Sequence, residues 1–442
     1  MLPQLAEVEE HFPEEVVVIG VHSAKYPGEK AHDSLRNAVL RYELEHPVVN
    51  DEKMEIWESY SVRAWPTLMF LDTEGRVIGK HEGEASAEAL IDALQELIDR
   101  YREEGKIKPE PLAAFELMEQ PTTPLRYPGK ILADAESGRL FVADSGHHRI
   151  VVTDLSGANP IIIGSGEKGF VDGVYGEARF HSPEGIALNG ETLFVADRLN
   201  HAIRQVDLQS QTVTTIAGTG EAGMGFAEAG PARSIDLRSP WDLAYHQRTL
   251  YIAMAGTHQL WALDLDSGML RPYAGSGRES IHDGDLEGAA LAQPSGIDVA
   301  DGKLYFVDSE TSSVRTADLP PYDEVKTIVG IGLFAFGDVD GRRGEVRLQH
   351  PMGLAVADGI VYVADSYNHK IKRIYPEERR SESWLGSRES GNVDGVEEEA
   401  RFFEPEGVSV AAGNVYIADT DNHLIRVADL ESGEVTTLEI QV

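Results

Sequence analysis

The sequence predicts a small α/β domain followed by an all-β domain built as a six-bladed β-propeller. Three observations support this prediction. One block recurs six times, at spacings of 53, 57, 54, 57 and 54 residues, which is the pattern of a repeat architecture. Every copy consists of strand patterns joined by glycine-rich turns, with no helix between copies. Helical and strand patterns alternate only before residue 109, so the two classes of structure occupy different parts of the chain.

Composition excludes several classes of function. The 442 residues include 75 acidic and 39 basic side chains, which gives a formal net charge of -36. Such a charge repels phosphate backbones and anionic headgroups, so we expect neither a nucleic acid nor a membrane as partner. The chain contains no cysteine and therefore has no disulfide, thiolate metal site or cysteine nucleophile. The first residues lack the pattern of a secretory leader, and the default expectation is a cytoplasmic protein.

Residues 1–108 are predicted to form the α/β domain. Residues 16–22 are expected as a buried strand and residues 29–42 as a helix. The apolar face of that helix is predicted to contain Leu35, Ala38, Val39 and Tyr42. Shorter elements are expected at 47–49, 54–60, 67–71 and 76–80. Ser86 stands where it can cap a last helix, whose apolar side chains recur with a period of 3.6 residues.

Residues 109–126 are predicted to be a linker, because prolines concentrate there, and residues 127–442 the propeller. One further strand could lie at 115–118. Pro-x-Gly entries stand at 183–185, 294–296, 351–353 and 405–407, and each is followed by a two-residue turn that contains glycine, at 189–190, 301–302, 358–359 and 412–413. Five of the six copies end their second strand on Asp. Glycine supplies the positive φ of a tight hairpin. Four antiparallel strands per copy then form a blade, and a closed ring of six blades leaves few exposed sheet edges.

The recurrent acids and histidines are interpreted as structural. They are Asp144, Asp197, Asp308, Asp365 and Asp419, with His148, His201, His369 and His423. A residue present in almost every blade serves the blade, and turns commonly select Asp and Asn. The acidic loops at 283–285 and 338–341 have oxygen-rich spacing but lack the complete calcium-loop pattern. We therefore expect solvated turns there, and neither a metal nor a cofactor is predicted.

Function is expected where the copies differ. The third copy carries Met254 in place of the recurrent Asp, with Trp241 and Trp261 nearby. Buried packing is the preferred interpretation, since tryptophan is usually a core residue. In the connection between the fourth and fifth copies, Phe334 and Phe336 are the predicted exposed anchors for a partner.

Two families resemble parts of this sequence. Residues 62–72, Val-Arg-Ala-Trp-Pro-Thr-Leu-Met-Phe-Leu-Asp, resemble the cis-proline segment of thioredoxin-like domains. The resemblance implies a cis bond at Pro66, which is rare enough to be worth predicting, and a substrate contact at Trp65. The repeats resemble NHL repeats through Asn-His pairs at 200–201, 368–369 and 422–423. Together the two domains resemble the family of NHL repeat-containing protein 2 over essentially the whole chain.

The thioredoxin-like resemblance is incomplete at its start. Domains of that type carry Cys-x-x-Cys at the start of a helix, and residues 1–5 resemble the remainder of that helix. We therefore expect the motif and the first strands to lie upstream of Met1. Residues 16–22 would then lack one ladder partner and leave backbone groups unsatisfied. A genuinely short form of this domain is expected to be poorly ordered or completed by a partner.

Three functions stay open on the sequence alone. The first is a binding or scaffold protein, in which the propeller and a redox-inactive thioredoxin-like domain engage protein or small ligands. Its predicted contacts are Trp65, Pro66, Thr67, Phe334 and Phe336, and a protein or peptide is the expected partner. The second is a thiol-disulfide oxidoreductase with cysteines upstream of Met1, since exchange needs a thiolate. The third is a lactonase or lyase that holds a metal in the propeller channel.

Overall fold

The computed structural model describes residues 1–107, 118–223, 225 and 228–442. The chain divides into two compact units, Met1–Pro121 and Thr122–Val442. The first unit is mixed α/β and the second is a six-bladed β-propeller, so the predicted fold class is confirmed. Half of the predicted linker, residues 109–117, lies outside the described residues, and so do all but the last residue of the strand proposed at 115–118.

In its described part, the first unit alternates short strands with helices. The elements are α1 (Leu2–His11), β1 (Gly20–His22), the 3₁₀ turn Pro27–Lys30, α2 (His32–Arg41), β2 (Val48–Asn50), α3 (Glu55–Ser59), β3 (Thr67–Leu71), β4 (Val77–Glu82) and α4 (Ala87–Glu103). Strand β1 pairs in parallel with β2, and β3 pairs antiparallel with β4. These pairs form two separate two-stranded sheets.

Helices α1 and α4 supply the core of the first unit. Val8 of α1 and Phe12, which directly follows α1, pack with Leu90 and Ile98 of α4, and all four side chains are buried. The hydroxyl of Ser86 accepts a hydrogen bond from a backbone N–H of the first turn of α4 at 3.2 Å, as the sequence predicts. Helix α4 has 17 residues, and no helix in the described ranges is long and apolar enough to cross a membrane.

Two predictions for the first unit are wrong. The buried strand expected at 16–22 is limited to Gly20–His22, and Val17, Ile19 and Val21 are 43%, 57% and 43% exposed. Strand β1 has one ladder partner among the described residues, β2, so its other edge is not paired there. Helix α2 buries Ser34, Asn37 and Leu40, and not the predicted stripe. Tertiary contacts decide which face of a short helix is buried, because such a helix has little stability of its own.

Each blade of the propeller is an antiparallel sheet. Blade 1 contains β5 (Pro128–Asp134), β6 (Arg139–Asp144), β7 (Arg149–Asp154) and β8 (Ile161–Ile163). Blade 2 contains β9 (Gly173–Val174), β10 (Pro183–Asn189), β11 (Thr192–Asp197), β12 (Ala202–Asp207) and β13 (Thr212–Ala217). Blade 3 contains β14 (Gly230–Pro231), β15 (Pro240–His246), β16 (Thr249–Met254), β17 (Gln259–Asp264) and β18 (Met269–Ala274).

The other three blades repeat this order. Blade 4 contains β19 (Gly284–Asp285), β20 (Pro294–Ala300), β21 (Lys303–Asp308), β22 (Ser313–Asp318) and β23 (Glu324–Val329). Blade 5 contains β24 (Gly341–Arg342), β25 (Gly353–Ala357), β26 (Ile360–Asp365), β27 (Lys370–Tyr375) and β28 (Arg380–Leu385). Blade 6 contains β29 (Gly395–Val396), β30 (Gly407–Ala411), β31 (Asn414–Asp419), β32 (Leu424–Asp429) and β33 (Glu434–Leu438).

The connections between blades add a strand that the sequence analysis does not predict. Strands β9, β14, β19, β24 and β29 each pair with the last strand of the blade that follows, at its outer edge. Strands β5, β10, β15, β20, β25 and β30 contact one another in sequence around the centre, and β30 contacts β5. The propeller is therefore a closed ring of six blades.

A side chain after the second strand joins each blade to the next. It follows a three-residue 3₁₀ turn and has a left-handed backbone, with φ between 47° and 60°. Its Nδ1 or hydroxyl oxygen accepts a hydrogen bond from a backbone N–H at the start of the next blade, at 3.1 to 3.3 Å. The acceptors are His148, His201, His258, Ser312, His369 and His423, and the donors are Ser182, Ser239, Gln293, His350, Glu404 and Tyr127.

A buried cation on the third strand, which we call the clamp, holds the connection in four blades. The clamp residues are Arg204, Arg315, Lys372 and Arg426, each seven positions after the recurrent Asp. Arg426 donates to the recurrent Asp419 at 2.9 Å and to Asp394 of the connection at 2.6 Å. It also donates to the carbonyls of Arg401 and Val393 at 3.0 and 2.8 Å. The acidic loops predicted as solvated turns make the same kind of contact, since Arg315 donates to Asp283 and Lys372 donates to Asp338 and Asp340. The prediction of merely solvated turns there is wrong.

Replacing His369 with serine, which blade 4 carries at this position, is expected to remove part of the pH dependence of stability. Burial lowers the pKa of His369 to about 4 in the folded protein, whereas an unfolded histidine titrates near 6.5. As the pH falls from 6.5 towards 4, the unfolded chain gains a proton that the folded chain does not, so the unfolding free energy falls. This destabilisation is absent above about pH 6.5 and is complete only below about pH 4.

Urea unfolding at pH 7 and pH 5 measures the difference. The native protein is expected to lose about 2 kcal/mol more than the His369→Ser variant between these conditions. The buried aspartates titrate in both proteins and cancel in the comparison. Identical losses would contradict the assignment of an unprotonated Nδ1 as the acceptor.

Removing one clamp is expected to destabilise the propeller strongly. In the Arg426→Met variant the carboxylate of Asp419, whose side chain is wholly buried, loses its counter-charge. We expect the unfolding free energy to fall by about 3–5 kcal/mol. The matched control Arg342→Met removes an exposed ion pair with Glu378 and is expected to cost less than about 1 kcal/mol. Equal unfolding midpoints for the two variants would contradict the role of the clamp.

Candidate functional site

Trp65 is presented at the surface of the first unit in a fixed orientation. Its peptide bond to Pro66 is cis, as the sequence predicts. The side chain is 46% exposed. Its indole N–H donates to the carbonyl of Ser23 at 2.8 Å, and its ring lies 4.3 Å from the ring of Trp57. Two contacts on different sides therefore hold an aromatic ring that solvent still reaches.

A buried carboxylate organises the residues that hold Trp65. Asp51 is 5% exposed and accepts hydrogen bonds from the Ser23 hydroxyl at 2.8 Å and from the backbone N–H of Trp57 at 2.9 Å. Burial raises the pKa of this carboxyl, but the N–H groups of Ile56 and Trp57 and the Ser23 hydroxyl lower it more, so it lies below its usual value. Sequence reasoning missed Asp51, although an Asp shortly before a short helix is a common N-terminal signal.

The backbone beside the cis bond is an open edge. Within the described ranges, the peptide N–H and C=O of Trp65 make no hydrogen bond. The next carbonyl, that of Pro66, accepts from Gly83 at 2.9 Å, and the Thr67 hydroxyl donates to Ala64 at 2.7 Å. Strand β3 pairs with β4 along its other side. This arrangement leaves polar backbone groups next to an exposed aromatic ring.

Exposed apolar side chains accompany this edge on both small sheets. Val21 of β1 pairs in register with Val49 of β2, and the two are 43% and 42% exposed. On the other sheet, Leu71, Val77 and Ile78 are 42% to 50% exposed. Groups of exposed apolar side chains on a folded protein are typical of surfaces that bind another molecule. The arrangement therefore suits the binding of another molecule.

The second predicted site lies in the propeller unit, and its two phenylalanines differ in exposure. Phe334 is 79% exposed, whereas Phe336 is half-buried. Ile331 and Val339, on either side of these residues, are 49% and 48% exposed. In the equivalent connection into blade 2, residues 165–168 are Ser-Gly-Glu-Lys, whereas Phe170 and Val171 are 36% and 42% exposed. The structure places Trp65, Pro66 and Thr67 in one unit and the two phenylalanines in the other.

The propeller centre holds charged side chains that sequence reasoning missed. Lys130 is 4% exposed, and its ammonium donates to the carbonyl of Glu406 at 3.3 Å and to that of Met352. Asp242 accepts from a backbone N–H of the next inner strand at 3.0 Å. Burial raises its pKa to about 6, and the charge of Lys130 opposes that rise. Lys130 and Asp242 stand where the other copies have the glycine of the Pro-x-Gly entry. This difference between copies is the sequence signal that could have identified them.

The two tryptophans that distinguish the third copy make packing contacts within the propeller. Trp261 is 2% exposed and lies in the core, in agreement with the packing interpretation. Trp241 is half-buried, with the guanidinium of Arg198 at 4.9 Å from its ring. The described residues bring no three His or acidic side chains together as a metal centre.

Known proteins resemble both units. Residues 1–77 match the family described as Thioredoxin-like, and residues 348–374 and 402–428 match the NHL repeat. Over 78 residues, or 18% of its length, the chain is 32% identical to the thiol-disulfide oxidoreductase ResA of Bacillus cereus, covering 45% of that protein.

Longer similarities include both units together. The whole chain is 39% identical to NHL repeat-containing protein 2 of Gallus gallus and spans 66% of that protein. It is also 39% identical to Protein SUPPRESSOR OF QUENCHING 1, chloroplastic, of Arabidopsis thaliana, of which it spans 44%. The match to the chicken protein covers the whole of this chain and therefore includes both units. This chain belongs to the family of NHL repeat-containing protein 2.

Proposed function

We propose that this protein is a binding protein whose thioredoxin-like unit, Met1–Pro121, holds an extended polypeptide segment against Trp65, Pro66 and Thr67. The propeller supplies a second contact through the Phe334 loop, residues 331–337. The observation that carries the proposal is the pairing of an exposed, immobilised indole ring with backbone groups of Trp65 that make no hydrogen bond in the described ranges. The cytoplasm as its place of action is a prediction from the sequence.

Physical chemistry supports a peptide as the partner. An extended chain satisfies exposed backbone donors and acceptors at a strand edge, while its side chains contact neighbouring apolar groups. Tryptophan contributes a large contact area and dominates many binding surfaces. Because Ser23 and Trp57 already fix the ring of Trp65, little side-chain freedom is lost on binding.

Thiol-disulfide exchange is the second candidate function. The observation in its favour is the 78-residue similarity to ResA, together with the cis bond before Pro66. Exchange requires a thiolate, and these 442 residues contain no cysteine, so the thiols would have to come from outside this sequence. Intact mass and a thiol count on the protein from its native cell test this candidate. A 48.4 kDa species without thiols contradicts it.

The Trp65→Ala variant is expected to lose affinity for an unfolded polypeptide. The probe is reduced, carboxymethylated lactalbumin, which is permanently extended and carries no free thiol. We expect binding to weaken by about tenfold or more, as for central aromatic contacts at interfaces. Fluorescence anisotropy of the labelled probe measures the change.

A matched variant controls for the loss of any exposed aromatic side chain. Tyr322 is 71% exposed and lies in the propeller, so Tyr322→Ala is expected to leave the affinity unchanged. The unfolding midpoint of Trp65→Ala is measured in parallel, to separate lost contact from lost structure. An unchanged affinity in a folded Trp65→Ala variant rules out this site.

Phe334 is expected to contribute to binding without contributing to stability. Because its side chain is 79% exposed, Phe334→Ser should change the unfolding free energy by no more than about 0.5 kcal/mol. Phe402 is wholly buried, and Phe402→Ser should cost about 3–5 kcal/mol. Chemical denaturation compares the two variants. A large cost for Phe334→Ser would show that the loop serves the fold.

A further inference from the structure

The connections into blades 5 and 6 carry charged side chains at a position where the other connections carry apolar ones. This position lies three residues after the acid of the connection, or after the residue that replaces that acid in blade 3. Tyr175, Ala232 and Leu286 occupy it in blades 2, 3 and 4, and each belongs to a hydrophobic core cluster or packs against one. Arg343 and Glu397 occupy it in blades 5 and 6, and both are exposed. Neighbouring blades therefore present opposite charges at equivalent places on the outer rim.

Arg343 and Glu397 are held in the same backbone geometry. Both are left-handed, with φ of 53° and 50°, which is uncommon for a residue with a side chain. The backbone N–H of Arg343 donates to the carbonyl of Arg379 at 2.7 Å, and that of Glu397 donates to the carbonyl of Gly433 at 3.0 Å. Successive blades of a closed ring are related by rotation about the ring axis, so the two residues lie at the same level along that axis.

The rim of blade 5 is rich in arginine. Arg342 of β24 is paired directly with Arg380 of β28, although like charges at such a place repel. Glu378 accepts from both guanidinium groups, at 3.0 and 3.2 Å. Arg379 donates to backbone carbonyls of blade 4, and the side chain of Arg343 makes no hydrogen bond within the described ranges. Two cations of this rim thus have no carboxylate partner in the part of the chain that the structure describes.

The rim of blade 6 is acidic at the equivalent places. The rung that pairs two arginines in blade 5 pairs Val396 with Glu434 in blade 6. Glu397, Glu398 and Glu399 follow Val396 in the connection. All four carboxylates are exposed, and among the described residues none of them forms an ion pair. The two rims therefore carry complementary charges without satisfying them within one molecule.

Exposed valines accompany these charges on both rims. Val339 and Val393 directly precede the acid of their connections and are 48% and 44% exposed, and Val396 is 44% exposed. Apolar side chains beside charges of fixed sign are typical of surfaces that bind another protein. The charges that such a protein needs are present on this chain.

We propose that two copies of this chain associate side by side through the rims of blades 5 and 6. A two-fold axis parallel to the ring axis and outside the rim sets blade 5 of each copy against blade 6 of the other. Arg343 then faces Glu397 of the partner subunit, and Val339 faces Val393 of the partner subunit. A two-fold axis tangent to the rim would set each blade against itself and bring like charges together.

Symmetry and screening make this association feasible. A two-fold interface contains every contact twice, which offsets the weakness of single exposed ion pairs. Each copy carries a net charge of -36, but charges farther apart than about 10 Å are largely screened at 0.1 M salt. We expect a weak dimer that forms at micromolar concentration. The proposal does not rest on peptide binding at Trp65.

Sedimentation velocity of the full chain over a range of concentrations tests the proposal. We expect a species of twice the 48.4 kDa of one chain. Arg343→Glu sets glutamate against Glu397 of the partner subunit at both contacts, and Glu397→Arg sets arginine against Arg343. Each variant is expected to raise the dissociation constant of the dimer by about tenfold or more. Both should fold, because each introduces a residue that the equivalent left-handed position of the other blade already carries.

Mixing the two variants distinguishes this interface from any other. In an equimolar mixture, Glu at position 343 of one variant faces Arg at position 397 of the other, and the second contact keeps its native pair. The mixture is therefore expected to dimerise although neither variant does so alone. Arg278→Glu makes the same change of charge at an exposed site in the connection into blade 4 and is expected to leave the dimer unchanged.

Three outcomes overturn the proposal. One is a parent protein that stays monomeric up to millimolar concentration. Another is a folded Arg343→Glu variant that dimerises as well as the Arg278→Glu control. The third is a mixture of the two single variants that stays monomeric. Unfolding midpoints of all variants are measured in parallel, so that loss of the dimer is not confused with loss of structure.

Discussion

The hydrogen bond from a backbone N–H of one blade to a side-chain acceptor of the preceding blade is the contact on which the ring depends. The same geometry occurs at all six interfaces between blades. A left-handed residue after a short turn is needed to aim the acceptor, and a neutral imidazole is needed to accept. Ser312 performs the same task in blade 4, so the requirement is for an acceptor atom at that point and not for an aromatic ring.

The clamps show why several residues change together from one blade to another. Blades with a buried cation on the third strand also have the acid in the connection, and blade 3 has neither. Blade 1 has Val151 at the clamp position and, in the described residues, no fifth strand. A buried charge without its partner costs several kcal/mol, whereas apolar replacement of the whole set costs little. Lys130 and Asp242, at the propeller centre, also differ together from the other blades. They carry opposite charges at the position where the other blades have glycine.

Patterns that repeat in the chain were predictable, and contacts between distant segments were not. The hairpin turns, the cap at Ser86 and the cis bond before Pro66 depend on neighbouring residues, so the sequence contains their signals. The partnership of Arg426 with Asp394 joins two strands across a blade, and one sequence gives no register for it. Around Trp65 the residue type indicated a contact surface, but the support from Ser23 and Asp51 comes from segments far away in sequence.

Each blade takes its four main strands from one continuous stretch of chain, which gives the ring a seam. At the seam the imidazole of His423 meets the backbone of Tyr127 across 296 positions of sequence, whereas blade 1 meets blade 2 across 34. Loop entropy rises with the length that is closed, and contacts between sequence neighbours form sooner than distant ones. We therefore expect blades to accumulate from local contacts, with the union of the first and the last as the final event of folding. A circular permutant opened between two other blades would move that event to a new place while keeping every interface.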